Sequence, residues 1–495
     1  MHMAWPMNNA RMAVRAALIV ALGGALGACA LAPPHETPPL AVAAHYPEDA
    51  RLPGAASIAP PQDWRAYFAE PRLQALIEQA LENSRDLRSA ALRVAEARAA
   101  YGIQRADRFP TVGVGVDASR ARTPADLSVT GRTQTGGRYD VGASLATWEL
   151  DLWGRVRDLE EAALQNYLAT DAGRRALAVG LVAQVADAYL GLRELDERLA
   201  LARRTIESRQ ESFRIFTRRF EVGATSRLDL TQVETLLTQA QALGAQLEQA
   251  RARQAHALAL LVGAPLDLPP AQGAFDDGVV LHELAPGLPS ELLTLRPDIV
   301  AAEHRLRAAS ANIGAARAAF FPRIALTASA GTASAELGGL FEPGSGAWRF
   351  APSVALPIFD GGRRRAALEL AAVRREIAVA DYERTVQAAF RDVADALAAH
   401  HWLSEQVRIQ RAALAALTER ARLATLRYDN GAARYLEVLD AQRDLLGAEQ
   451  QLVQTRRALL SSRVALYAAL GGGEAAFATA GERVPSAAAH EHSTR

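Results

Sequence analysis

The feature that most constrains this chain is a pair of very long segments without proline. No proline occurs between Pro124 and Pro265, or between Pro357 and Pro485. In the first segment apolar residues recur every seven positions, at Val185, Leu192, Leu199, Ile206, Phe213 and Phe220. A companion row consists of Ala188, Leu195, Ala202 and Phe216, and Arg209 interrupts it. In the second segment Leu445, Leu452, Leu459 and Leu466 keep the same step. Sustained heptads predict coiled-coil packing.

The length of these helices excludes an ordinary globular core. A helix over residues 154–221 would extend on the order of 100 Å at 1.5 Å per residue. Such a helix must pack laterally against other helices along a tube or rod. The composition agrees, because the apolar fraction is rich in alanine and aromatic residues are only 6%. We therefore predict a mainly helical fold.

The chain also repeats itself. The segment Phe220–Asp229 resembles Tyr428–Glu437, with Gly223 and Gly431 at equivalent places 208 residues apart. The same offset relates Gly263 to Gly471. Each repeat reads as a helix, a pair of short alternating strands, and two long antiparallel helices joined by a glycine turn at Gly223 or Gly431. An internal duplication explains the pattern.

These signals give a complete domain prediction. We expect a signal peptide at 1–28, a lipid-anchored extended segment at 29–64, a linker at 266–288 and a disordered tail at 473–495. The structural repeats cover 65–265 and 289–472. The predicted elements are helices at about 70–107 and 297–319, strands at about 110–120, 138–148, 322–331 and 348–357, and long helices at about 154–221, 226–262, 362–428 and 433–470.

The N-terminus has the pattern of a bacterial lipoprotein. Arg11 and Arg15 precede a short apolar run that ends at Leu26-Gly27-Ala28-Cys29, and Cys29 is the only cysteine. A basic flank followed by a short apolar core is typical of a secretory signal. The sequence resembles a lipobox, in which Cys29 becomes the lipid-bearing first residue of the mature chain. The alternative is a cysteine of no special role within an ordinary signal.

The short strands alternate in the manner of membrane-spanning β-strands. Val112, Val114 and Val116 fall on one face, and Gly113, Gly115 and Asp117 fall on the other. About ten residues of such alternation is typical of a transmembrane β-strand. The alternative is two solvent-exposed hairpins. If the strands are in a membrane, four cannot close a barrel and an open edge cannot face lipid. Three chains would supply twelve strands.

Charge and motifs exclude other classes. The 55 basic and 55 acidic residues balance, whereas nucleic-acid binders normally carry a basic excess. We find no catalytic constellation and no cofactor or metal motif, so we expect neither enzyme activity nor a cofactor.

The duplicated architecture and several motifs resemble the outer-membrane efflux factor family, the TolC-like exit ducts, and in particular the lipoprotein branch that serves resistance–nodulation–division (RND) pumps. The motifs are Trp148-Glu-Leu-Asp-Leu-Trp-Gly-Arg155, Leu295-Arg-Pro-Asp-Ile299, Leu356-Pro-Ile-Phe-Asp-Gly-Gly362 and Tyr435-Leu-Glu-Val-Leu-Asp-Ala-Gln-Arg443.

The resemblance implies a homotrimer with a twelve-stranded outer-membrane β-barrel on an α-helical periplasmic tunnel. Its turns at Gly223 and Gly431 would form the tunnel tip. The implied partners are outer-membrane lipid, a periplasmic adaptor (membrane fusion) protein and an inner-membrane RND-type transporter. The implied function is passive export of drugs or other small molecules.

The resemblance also implies gate residues. Glu437 and Asp440 fall where acidic side chains line the closed tip, and threefold rings of carboxylates favour cations. Tyr428 and Asp229 match a latch between helix pairs, so we predict a Tyr428–Asp229 hydrogen bond in the closed state. A latch arginine of the family is replaced here by Ala433, with Arg434 adjacent, and Arg434 or Arg227 is a candidate substitute. The alternative is that these are ordinary solvated or packing positions.

Two other functions compete with small-molecule efflux. One is the exit duct of a type I protein-secretion system, which the sequence hardly distinguishes. The other, of a different class, is a structural coiled-coil lipoprotein of the cell envelope. A periplasmic adaptor is disfavoured, because it would have one coiled-coil hairpin rather than two hairpins that each follow a strand pair.

Overall fold

The structure is a computed structural model that describes residues 31–34, 38, 63–271, 277–280 and 296–473. The predicted signal peptide, Cys29 and nearly all of the predicted C-terminal tail lie outside the described residues. The chain divides into two compact units, and each takes segments from both sequence repeats. The first unit contains Val94–Thr170 and Ala302–Tyr382, and the second contains Asp171–Ala301 and Glu383–Arg495.

The described residues form eight α-helices and four β-strands. Four helices are short or of moderate length: α1 (Trp64–Tyr67), α2 (Pro71–Asn83), α3 (Arg85–Ala106) and α6 (Pro297–Ala318). Four are long: α4 (Arg155–Glu221), α5 (Arg227–Val262), α7 (Arg363–Asp429) and α8 (Tyr435–Ala469). The strands are β1 (Val112–Thr123), β2 (Gln134–Leu150), β3 (Arg323–Ser334) and β4 (Gly346–Ala355). The predicted mainly helical class with a small β part is confirmed.

One helix prediction was wrong. The helix expected over 70–107 is interrupted at Ser84, whose backbone leaves the helical region with ψ of 124°. The Ser84 hydroxyl accepts a hydrogen bond from the Leu87 N–H at 3.3 Å. Serine competes with the helical backbone in this way and favours a helix start. The chain therefore forms α2 and α3 rather than one continuous helix.

The four strands form one antiparallel sheet in the first unit. The strand order is β1-β2-β3-β4, so β1 and β4 are both edges. The register places Val114 opposite Ala143, Ala143 opposite Ala330, and Ala330 opposite Trp348. A register shift between Leu145 and Trp148 lets β2 continue beyond β1.

The motif at residues 148–155 forms the joint between β2 and α4. Glu149 accepts two hydrogen bonds from the Arg155 guanidinium, at 2.9 and 2.8 Å, and also pairs with Arg323 at 2.7 Å. Asp151 accepts from the first N–H groups of α4, at 3.0 and 2.8 Å. The Trp153 indole donates to the Pro322 carbonyl at 2.8 Å. Charge-assisted bonds and a helix cap thus fix how the helix leaves the sheet.

The second unit has a core made of helices. Val185, Leu192 and Leu199 of the heptad row are almost fully buried. Arg198 donates to the Gln450 side chain at 2.7 Å, which joins α4 to α8. One 18-residue window of α4 is apolar enough to cross a membrane, but 61% of it is buried within the protein. Burial of this kind is expected of a core helix.

The Arg-Pro-Asp motif ties the start of α6 to the other helices of this unit. The Arg296 guanidinium, whose side chain is 11% exposed, pairs with Asp298 at 2.6 Å and with Asp392 of α7 at 3.4 Å. It also donates to the Ala469 carbonyl at the end of α8, at 3.1 Å. The guanidinium presents five N–H donors in a fixed planar fork, so it can hold several acceptors in one geometry.

Candidate functional site

The sheet has one apolar face that none of the described residues covers. Val112, Val114 and Val116 of β1 are 67–83% exposed, although valine is usually buried. Trp348 and Phe350 of β4 continue the same face and are 80% and 60% exposed. A contiguous exposed apolar surface of this size marks a contact with lipid or with another protein.

The opposite face of the sheet is polar. It carries Asp117 and Asp140, which are directly opposite each other on β1 and β2, and Arg349 of β4. Arg138 forms two hydrogen bonds with Asp140, both of 2.8 Å. A sheet with one apolar and one charged face fits the wall of a membrane barrel with an aqueous interior.

The first glycine turn joins α4 to α5. Gly223 has a φ of 74°, a conformation that disfavours side chains with a Cβ. Ser226 caps α5 by accepting from the Asp229 N–H at 3.1 Å, and the Asp229 carboxylate accepts from the Ser226 N–H at 3.3 Å. This reciprocal capping box satisfies two helix-end donors. The hydrogen bonds from Ser226 lower the pKa of Asp229, and those from Thr225 and the charge of Arg434 add to the effect.

The second glycine turn, between α7 and α8, uses different contacts. Gly431 has a φ of 71°. Arg434, the counterpart of Ser226, does not cap α8 with its side chain. Glu437, the counterpart of Asp229, instead pairs with Arg427 across its own turn at 3.0 Å. The two hairpins share a backbone plan but not a set of side-chain contacts.

In the structure Tyr428 and Asp229 each bond another partner, so the hydrogen bond expected between them in the closed state is not formed here. The Tyr428 hydroxyl accepts a hydrogen bond from the Arg219 guanidinium of the first hairpin. The Asp229 carboxylate instead accepts hydrogen bonds from Thr225 and Ser226 of its own turn. A direct link between the two hairpins still exists, and its partner for Tyr428 is a cation rather than a carboxylate.

Glu437 and Asp440, three residues apart, lie on the same side of the first two turns of α8. Their side chains are 49% and 39% exposed. Each is paired with an arginine, Glu437 with Arg427 and Asp440 with Arg443, at 3.0 and 3.2 Å. Arginines therefore neutralise part of the negative charge that the sequence predicts here.

Sequence reasoning missed Arg219 and Tyr435. Tyr435 packs against the rings of Phe216 and Tyr428, at centroid distances of 4.4 and 4.9 Å. Its hydroxyl and the Ser212 hydroxyl are 2.9 Å apart. The 208-residue offset carried a usable signal, because it aligns Arg219 with Arg427. Comparing the two turns position by position would have singled out both arginines.

Arg209, the interruption in the heptad row, is also a functional candidate. Its side chain is only 3% exposed, and its Nη1 has no hydrogen-bond partner among the described residues. Burial lowers the pKa of its guanidinium. A buried cation without a paired anion costs stability. A charged residue is also unusual at this heptad position, which coiled coils normally fill with an apolar residue.

Comparison with known proteins assigns the family. The model of the family described as "Outer membrane efflux protein" matches residues 76–264 and 288–472. Outer membrane protein OprJ of Pseudomonas aeruginosa is 45% identical over 460 residues, which are 92% of this chain and 95% of OprJ. The toluene efflux pump outer membrane protein TtgF of Pseudomonas putida is 45% identical, over 92% of this chain and 96% of its own length.

Solved structures agree. The open state of the MtrE outer membrane channel of Neisseria gonorrhoeae has a TM-score of 0.82 and 39% identity, over 90% of this chain and 99% of MtrE. The CmeC outer membrane channel of Campylobacter jejuni has a TM-score of 0.83 and 25% identity, over 90% of this chain and 95% of CmeC. The chain belongs to the outer membrane efflux protein family. It is an outer-membrane exit channel of an efflux pump.

Proposed function

We propose that three copies of this chain close one twelve-stranded β-barrel, continued by a helical tunnel, and that small molecules cross this duct passively. The observation that carries the proposal is the sheet with two unpaired edges, β1 and β4, and one uncovered apolar face. In lipid every backbone N–H and C=O must find a partner, so a single sheet of four strands is incomplete. Pairing β1 of one copy with β4 of the next removes both edges.

The exposed face of α7 supports lateral assembly of the helices. Leu370, Val373 and Ile377 are 50–56% exposed at spacings of three and four residues. Trp402 and Ile409 continue an exposed apolar row seven residues apart. Heptad spacing is what a neighbouring helix requires. We infer that an adjacent copy covers this row.

The barrel is tested by placing one charge on either face of β1. Val114→Arg puts it on the apolar face, where arginine costs about 2–4 kcal/mol at the middle of a bilayer. Ser119→Arg is the matched control on the polar face of the same strand. We expect Val114→Arg to abolish the SDS-resistant oligomer and planar-bilayer conductance, and Ser119→Arg to retain both. A stable water-soluble monomer, or equal loss in both variants, would contradict the barrel.

We propose that Cys29 carries the lipid anchor, and the absence of lysine makes the proposal easy to test. All 55 basic residues are arginine. If the α-amine of Cys29 is acylated, the mature chain has no primary amine at all. An amine-reactive dye should then fail to label the denatured wild-type protein but should label Cys29→Ser, which retains a free α-amine. Equal labelling of both proteins would rule out N-acylation.

We propose that the duct works with a periplasmic adaptor and an inner-membrane RND-type transporter. Relatives are named for the efflux of toluene, solvents and antibiotics, which favours small apolar or amphiphilic cargo over secreted proteins. A bacterium that lacks its own exit ducts should regain export of a fluorescent pump substrate when it expresses this chain with such a pump and adaptor. Restored protein secretion without restored dye export would favour the type I alternative.

We propose that the two turns gate the duct. Tyr428 would hold the hairpins together through Arg219, and Asp229 would contribute through the charge of Arg434 rather than by a direct bond to Tyr428. Glu437 and Asp440 would line the closed tip as partly neutralised rings. Single-channel recording of Asp440→Asn should show weaker cation preference at unchanged oligomer stability. Unchanged ion selectivity would remove Asp440 from the gate.

A further inference from the structure

Gly314, on the last turns of α6, forms a notch that holds another part of the chain. The position that a Cβ on Gly314 would occupy is 2.8 Å from both the backbone nitrogen and the Cβ of Ala32. The Asp158 carboxylate of α4 reaches the same position. Gly102, by contrast, is a helical glycine of the same unit with open space around it. Only glycine at 314 leaves room for the segment that contains Ala32.

A second contact from the same helix holds the neighbouring residue. Arg317, one turn after Gly314, donates from Nη1 to the Leu31 carbonyl at 2.9 Å. Residues three apart on a helix lie on one face, so Gly314 and Arg317 present one surface to residues 31 and 32. Both contacts involve the backbone of the segment. The two contacts therefore depend on the backbone conformation of residues 31 and 32 and on a small side chain at position 32.

The third wall of the notch is Asp158. Its side chain is buried, with 7% exposure, and its Oδ2 has no hydrogen-bond partner among the described residues. A buried carboxylate oxygen without a donor is costly. A carboxylate in this position therefore does not serve the stability of α4, and its contact is with the notch at Gly314.

We propose that Gly314, Arg317 and Asp158 form a docking site for the protein's own N-terminal segment, which fixes the lipid-bearing residue beside the sheet of the same chain. The position of the lipid rests on the proposed acylation of Cys29. Leu31 is two positions after Cys29, so the Cα atoms of the two residues lie within about 7 Å of each other. Arg317 is six residues before Arg323, where β3 begins. The acyl chains would thus enter the leaflet at the helix-side end of the strands.

The consequence is an anchor that orients as well as tethers. A flexible tether would only keep the chain near the membrane. A docked anchor holds the sheet of its chain at a defined depth relative to the membrane. It thereby raises the effective concentration of β1 and β4 edges that are placed to pair with those of other copies. Docking should therefore speed the assembly of the barrel without contributing to conduction once it is closed.

The test compares the same substitution at two glycines. A nitroxide attached to Pro34→Cys reports the mobility of the segment. Its spectrum should be restricted in the parent and in Gly102→Ala, and mobile in Gly314→Ala and in Arg317→Ala. Equal restriction in all four proteins would overturn the docking site. A mobile spectrum already in the parent would do the same.

The functional half has its own readout. Gly314→Ala should form SDS-resistant oligomer several-fold more slowly than Gly102→Ala, while its amine labelling and its single-channel conductance stay those of the wild type. A mobile segment with unchanged assembly rate would refute the orienting role. Absence of conductance in the wild-type protein would instead count against the proposed channel, so the two failures are distinguishable.

Discussion

A row of glycines across the sheet gives the sharpest prediction. Gly115, Gly142 and Gly331 are paired in register across β1, β2 and β3, and the row ends at Ala347 of β4. A Cβ on Gly331 would lie 2.5 Å from the Cα of Gly142, whereas ordinary contact is 3.4–4 Å. The side-chain direction of Gly331 therefore points at the neighbouring strand. Glycine rows of this kind let a sheet bend sharply.

The magnitude follows from that overlap. Gly331→Ala requires β2 and β3 to separate by about 1 Å, which is enough to lengthen a 2.9 Å backbone hydrogen bond beyond useful strength. Overpacking alone costs about 1–3 kcal/mol. Within a bilayer each unsatisfied backbone group adds to this cost, because no water replaces the lost partner. Three copies in one barrel would triple the penalty.

The assay is the temperature at which the SDS-resistant oligomer dissociates, together with the yield of protein in the outer membrane. Gly331→Ala should lower both. Gly113→Ala is the matched control, because Gly113 is on the same sheet and nothing lies within 4 Å of its added Cβ. Equal dissociation temperatures for Gly331→Ala, Gly113→Ala and wild type would refute the idea that a bend at this row is required for assembly.

Three further predictions concern the helices. Arg209→Met, which removes an unpaired buried cation, should raise stability by about 1–4 kcal/mol, and a higher thermal midpoint in circular dichroism would verify it. Arg219→Ala and Tyr428→Phe should each increase single-channel conductance, and unchanged conductance in both would refute a latch at this link. Burial raises the pKa of Asp158 from 3.8 to about 6, so the stability it contributes is present below pH 3.8 and lost as pH rises through 6. Asp158→Asn should therefore gain about 3 kcal/mol at pH 8 and nothing near pH 3.5, and thermal midpoints across this range that do not converge would contradict it.

The helices and strands were largely predictable because periodicity reflects packing along the whole element. Val185, Leu192 and Leu199 are buried at the heptad positions. Near the turn the heptad row no longer predicts burial, because Phe220 is 37% exposed. A repeat in sequence identifies which face is apolar, but not whether the same chain or a neighbouring copy covers it. Periodicity also could not predict the break at Ser84, where one side-chain hydroxyl bonds the backbone and starts a new helix.

The tip contacts could not be predicted because duplicated positions have diverged in chemistry. Asp229 and Glu437 occupy equivalent places in the two repeats. Asp229 forms a capping box with Ser226, whereas Arg434, at the position equivalent to Ser226, makes no side-chain cap for α8. Glu437 is therefore available to Arg427. This leaves Arg219, the counterpart of Arg427, without a carboxylate across its own turn, and it bonds Tyr428 of the other hairpin.

The asymmetry between the hairpins has a mechanical consequence. Each hairpin is closed by bonds within itself, and the polar links between the hairpins at the tip are Arg219 with Tyr428 and the Tyr435 hydroxyl with the Ser212 hydroxyl. The aromatic stack of Phe216, Tyr435 and Tyr428 surrounds these links, and Arg219 also lies 5.8 Å from the centre of the Phe216 ring. Cation–π contacts tolerate sliding better than a bidentate salt bridge does, because a ring face is a broad target. A tip joined in this way can shift one hairpin against the other without first breaking a strong ion pair, which would suit the gating proposed for the duct.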